Sequence, residues 1–106
     1  MALTVIVTRD VEDRYRGFLS SALLEVAPAT YASPHLTPRA RDKIWSVLSD
    51  WHAQLGQGSI CMVYPDANAD GGIRIRSLGT PPRRAVRLDG MLLTLRVDPE
   101  AGTSAR

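Results

Sequence analysis

Apolar residues along the chain fall into short blocks with two different periods. Leu3–Thr8 is almost uniformly apolar and β-branched, which predicts a central strand covered on both faces. Beyond a charged turn, Tyr15, Phe18, Leu19, Ala22, Leu23 and Val26 follow a helical stripe. Their spacing predicts a helix through Val26, N-capped by Asp13 and barred from continuing by Pro28. Gly17 is a poor residue for a helix interior, so it is expected to serve a close backbone approach.

Ala29–Ser33 is a short strand carrying Tyr31. Thr37 and Pro38 then read as N-cap and first residue of a second helix, striped by Ala40, Ile44, Val47, Leu48, Trp51 and Leu55. Gly56-Gln57-Gly58 ends it. Ile60–Tyr64 is a third strand. Ile73-Arg74-Ile75-Arg76 alternates, predicting one packed face and one short arginine ladder. Val86–Leu88 and Met91–Val97 flank Asp89-Gly90, a two-residue hairpin signal. This order predicts an α+β fold: a ferredoxin-like sandwich with an antiparallel-rich sheet, two helices on one face and extra C-terminal strands. Residues 1–97 read as one domain, and the polar segment 98–106 as a disordered tail.

Charge changes the picture locally more than globally. The formal net charge is only +2, and residues 1–52 carry six basic and six acidic side chains. Residues 73–97 hold Arg74, Arg76, Arg83, Arg84, Arg87 and Arg96 against Asp89 alone. Arginine presents a planar fork suited to phosphate, so this segment points to a polyanionic partner. With Cys61 as the sole cysteine, an intramolecular disulfide and a cysteine-based zinc site are excluded. His35 and His52 stand alone, and Trp45 and Trp51 fit the second helix as core. No stretch has the length of a membrane span or the form of a signal peptide, so the chain is read as cytoplasmic with no membrane partner.

Val5-Ile6-Val7-Thr8, Arg14-x-Arg16-Gly17, Leu24-Glu25-Val26, Tyr31, Ile44-Trp45 and a late basic pair followed by Leu88-Asp89-Gly90 occur in a characteristic order. In this the chain resembles the small CRISPR-associated adaptation proteins of type I-E systems, partners of the spacer integrase. The resemblance runs from Leu3 to Val97. It implies a ferredoxin-like homodimer that bridges integrase dimers, holds double-stranded protospacer DNA by its backbone and docks on the integrase through its C-terminal strands. Relatives are also described as metal-dependent endoribonucleases or deoxyribonucleases, with an acidic residue ending the first strand. At that position this chain has Arg9, and its carboxylate, Asp10, comes one residue later.

The resemblance and the local sequence together nominate residues. Arg14 and Arg16 at the first helix start, Arg39 and Arg41 at the second, and Arg83 and Arg84 after the Pro81-Pro82 break are the DNA-backbone candidates. Val86, Leu88, Leu93, Leu95 and Val97, in strands spanning about residues 85–97, are the integrase-docking candidates. Asp10 is the catalytic and metal-ligating candidate of the alternative reading, a nuclease using Mg²⁺ or Mn²⁺ across the dimer. Without that activity no cofactor is expected. A ligand-sensing or RNA-binding domain is a third reading, but the chain has neither a Gly-rich phosphate loop nor an aromatic pair on a central strand.

Overall fold

A computed structural model describes residues 3–96. Val97 and the segment 98–106 lie outside the described residues. Five strands form one antiparallel sheet in the order β2-β3-β1-β4-β5: β1 (Thr4–Arg9), β2 (Leu24–Ala27), β3 (Thr30–Ser33), β4 (Ser59–Pro65) and β5 (Ile73–Leu78). Helices α1 (Asp13–Ala22) and α2 (Pro38–Leu55) cross over one face. A separate hairpin, β6 (Arg83–Leu88) and β7 (Met91–Arg96), lies beside β5. The ferredoxin-like sandwich with extra C-terminal strands expected from the pattern is what forms. Among the described residues, no helix is long and apolar enough to cross a membrane.

Between sheet and helices, Ile6, Tyr31, Ile60, Met62 and Tyr64 meet Tyr15, Leu19, Ile44 and Leu48. Trp51 of α2 locks the helices together, with its ring edge-on to Tyr15 at 5.3 Å and to Phe18 at 5.4 Å. Contacts of this kind contribute about 0.5–1.5 kcal/mol each beyond the area they bury. The Thr37 hydroxyl accepts from the Ala40 amide at 3.1 Å, and Gly56 closes α2 in the left-handed conformation (φ 64°), so both predicted ends of this helix form. Asp89 (φ 52°) and Gly90 (φ 79°) make the hairpin turn that their sequence announces.

Several local expectations are corrected. The first helix stops at Ala22, because Leu23 turns extended and Leu24–Ala27 becomes β2. Leu23 is buried but Val26 is 60% exposed, so the last apparent turn of the stripe belongs to a strand. Pro28 sits in the β2–β3 connection, and the N-cap is Glu12, not Asp13, with no side-chain capping bond. A Cβ on Gly17 would meet nothing within 4 Å, so no close approach explains it.

The uniform apolar run of β1 also conceals an alternation. Thr4, Ile6 and Thr8 are buried under the helices, whereas Val7 on the opposite face is 43% exposed. Helices cover one face only, and apolarity of both faces does not make the same chain cover both. In β5 the predicted polarity is reversed: Arg76 pairs with Met62 and Arg74 with Tyr64, placing both arginines on the helix side. Their heads reach the rim, where Arg76 binds Asp42 at 3.1 Å and Arg74 binds Asp66 at 3.0 Å. Ile73 instead joins Leu3, Val5, Val63 and Leu92 along an apolar groove on the helix-free face.

Candidate nucleic-acid interface and docking surface

Strand direction distributes the nominated arginines. β1 runs towards Arg9, so α1 begins at that end of the sheet, whereas α2 begins at the other end, after the antiparallel β3. Arg14 and Arg16 therefore stand about one strand length from Arg39 and Arg41, roughly 20–25 Å. Arg83 and Arg84 return to the first end, following β5 and its Gly79 turn.

Their availability differs. Arg16 is 69% exposed, with Glu25 at 3.7 Å, and Arg14 is half exposed, with Glu12 at 3.5 Å and its guanidinium 5.6 Å from the Trp51 ring. Arg39, Arg83 and Arg84 are exposed and form no ion pair among the described residues. Arg41 is different: only 14% of its side chain is exposed, and its guanidinium lies 3.7 Å from the Tyr64 ring centroid. Arg76 approaches the same ring at 5.4 Å, and Asp42 lies near both guanidinium groups. Arg41 thus fastens the start of α2 to β4, beside the freely exposed Arg39.

Asp10 occupies a tight turn after β1, with φ 59°. Aspartate tolerates this left-handed conformation better than most residues. Its carbonyl accepts from the Gln57 side-chain amide at 3.1 Å, and Gly58 (φ 77°) packs so closely that a Cβ there would stand 2.5 Å from the Arg9 and Asp10 carbonyl oxygens. The carboxylate borders a cleft of about 560 Å³ with Glu12, Asp13, Glu25 and Arg16 among its walls. Burial and the Glu25 carboxylate raise the pKa of Tyr31 in its floor, so that hydroxyl stays neutral. No group of three or more His, Cys, Asp or Glu among the described residues is arranged to hold a metal ion.

The hairpin register sorts the docking candidates. Val86 pairs with Leu93, Arg84 with Leu95 and Leu88 with Met91, all on one face; Ala85, Leu92 and Thr94 belong to the other. Ala85 is buried and Leu92 lies over Gly71 while staying 50% exposed, so that second face turns to the body at Ala85 and only in part at Leu92. The first face turns outward, with Leu88 57%, Met91 57%, Leu93 40% and Leu95 47% exposed. Sequence reasoning chose four members of this stripe and missed Met91, although the Asp89-Gly90 turn places residues 88 and 91 directly opposite each other. Arg96 was counted in the basic 73–97 segment and Arg9 as the residue ending the first strand, but nothing local signals that they share a cleft.

A protein-family model described as CRISPR-associated protein (Cas_Cas2CT1978) matches residues 3–93, the whole ferredoxin-like sheet and most of the hairpin.

Proposed function

The chain belongs to this CRISPR-associated family, and on that premise we propose that it is the scaffold subunit of the CRISPR adaptation complex. In this reading a homodimer bridges integrase dimers and holds double-stranded protospacer DNA by its phosphates, with Arg14, Arg16, Arg39, Arg83 and Arg84 as the grip. Arg41 supports the grip by holding the start of α2 in place.

The observation that carries the proposal is the outward apolar stripe of Val86, Leu88, Met91, Leu93 and Leu95. It lies on a hairpin that shares no ladder with the main sheet, away from the helix starts that present Arg14, Arg16 and Arg39, while Arg83 and Arg84 flank it at the start of the same hairpin. Monomeric proteins rarely leave a row of large apolar side chains in water, and a strand pair with free edges is suited to pairing with another chain. Leu3, Val7, Leu24 and Val26 are likewise exposed, and the helix-free sheet face to which Leu3 and Val7 belong supports a second copy as its cover. Phosphate contacts position a duplex without reading its bases, in keeping with a subunit that accepts many protospacers.

Leu93→Lys/Leu95→Lys tests the reading. Both side chains face outward, so the variant should fold and bind duplex DNA while losing co-purification with the integrase and spacer acquisition in cells. Retention of integrase binding would sink the docking assignment.

A further inference from the structure

We propose that the edge strand β2 is a docking strand for an extended basic peptide of a partner protein. The peptide adds to the free side of β2 and lays lysine or arginine side chains into the cleft between α1 and the β2–β3 connection. The site lies on the helix side of the sheet, away from the face assigned to a second copy. It selects cations, where the duplex grip selects phosphate.

Topology leaves this edge open. β2 ends the order β2-β3-β1-β4-β5 and pairs with β3 alone, and all four of its residues are exposed. A row of unpaired amides and carbonyls is a template for another strand, and natural edges are commonly guarded by lysine or proline. β2 carries neither. Its one charge is Glu25, which is turned to Arg16 and to the Ala29 amide. The two faces of the strand differ. Leu24 pairs with Ala32, which pairs with Val5, so it belongs to the helix-free face. Glu25 pairs with Tyr31, which is buried beside Ile6 under the helices, and Val26 lines the cleft while remaining 60% exposed. A bulge between Glu25 and Ala27 limits the added strand to a few residues, so side-chain contacts must supply much of the affinity.

Charge selects the partner. Asp10, Glu12, Asp13 and Glu25 line the cleft of about 560 Å³ against Arg16 alone. Glu12 lies 3.5 Å from Arg14 and Glu25 3.7 Å from Arg16, whereas Asp10 and Asp13 form no ion pair among the described residues. Two uncompensated carboxylates outweigh the roughly half positive charge at the start of α1, so the cleft attracts cations and repels a phosphate strand. Lysine and arginine suit it because an apolar stem can lie along Val11, Val26 and Ala27 while the charged head reaches the carboxylates. A free polyamine gains the charge contacts but not the strand pairing, so the open edge favours a peptide.

The test titrates the full-length protein with a peptide of alternating valine and lysine, its glutamate-for-lysine counterpart and spermidine, followed by amide NMR. The lysine peptide should shift the amides of Glu25, Val26 and Ala27 and slow their hydrogen exchange, and the glutamate peptide should not. Asp10→Asn/Asp13→Asn keeps both side-chain shapes, and asparagine tolerates the left-handed backbone at position 10. It should weaken lysine-peptide binding by about tenfold, as expected for losing two exposed charge pairs. Val26→Lys puts a like charge on the edge and should abolish binding, with a thermal melt as the check on its fold. Val26→Thr keeps a β-branched side chain and should retain binding. Arg16→Ala removes the cation from the cleft wall, so it should tighten the peptide severalfold while weakening duplex binding. Those opposite changes separate this site from the scaffold grip. Equal binding of the two peptides, or unchanged affinity in the Asn variant, would overturn the proposal. So would spermidine reproducing the shifts with an affinity that Val26→Lys leaves unchanged.

Discussion

Replacing Arg14 and Arg16 together with alanine separates a phosphate grip from a merely solvated helix start. Both side chains are half or more exposed, and their carboxylate neighbours stand at 3.5 and 3.7 Å. Exposed pairs of this kind contribute about 0–1 kcal/mol each, so the fold should survive their loss. If Arg14, Arg16, Arg39, Arg83 and Arg84 each meet one phosphate in both copies of a dimer, ten contacts give a log–log salt slope of about −9. Removing four of them should flatten it to about −5.4, the two lines diverging by about two decades between roughly 50 and 200 mM salt. Fluorescence anisotropy with a labelled duplex measures this, and a thermal melt checks the fold. Arg41→Ala is the internal comparison. Its stacked, mostly covered guanidinium is expected to contribute about 1–2 kcal/mol to stability. That corresponds to a melting point lower by about 4–8 °C per kcal/mol, with the salt slope of the folded protein unchanged. An unchanged slope in the double variant, or a flattened slope with an unchanged melt in Arg41→Ala, would refute this division of roles.

Gly58→Ala should destabilise by at least about 1 kcal/mol, since its Cβ would press on two carbonyl oxygens at a positive φ, whereas Gly17→Ala should stabilise by about 0.5–1 kcal/mol; urea unfolding compares them. The Asn68 amide and the Arg74 guanidinium hold the Asp66 carboxyl below its ordinary pKa, so the folded state binds that proton less readily than the unfolded chain. Its stabilising contribution is complete above the ordinary carboxylate range and disappears as pH falls through the lowered value. Asp66→Asn should therefore flatten the acid limb of urea midpoint against pH, and an unchanged limb would refute the linkage. Burial pushes the Cys61 thiol up despite the Ser77 hydroxyl and Arg83, so iodoacetamide should react with it at neutral pH more slowly than with free cysteine; equal rates would contradict this.

Element type was legible wherever one local signal acted alone. Thr37-Pro38 at one end and Gly56 at the other bounded α2 because capping is decided within a few residues. Asp89-Gly90 announced its hairpin for the same reason. Leu24–Ala27 was misread because a stripe at helical spacing continued into it, while pairing with β3 offered the backbone a sheet ladder instead. The candidate site divided along similar lines. Arginine beside a helix start is a local pattern, so Arg14, Arg16 and Arg39 could be nominated from sequence, and all three stand exposed near the helix starts. The stacking of Arg41 on Tyr64 joins residues 23 positions apart and had no local signal.

Local order along this chain determined its class: strand, helix and hairpin periods, caps and turn residues all act over a few positions. Tertiary structure alone decided direction and company. Register turned the β5 arginines towards the helices, and the hairpin pairing put Val86, Leu88, Met91, Leu93 and Leu95 on one outward face. Packing of that hairpin beside β5 brought Arg9, Arg83 and Arg96 to one cleft. The physical reason is that a side chain's face depends on which strand it pairs with. That choice is settled by burial and hydrogen bonding across the whole sheet.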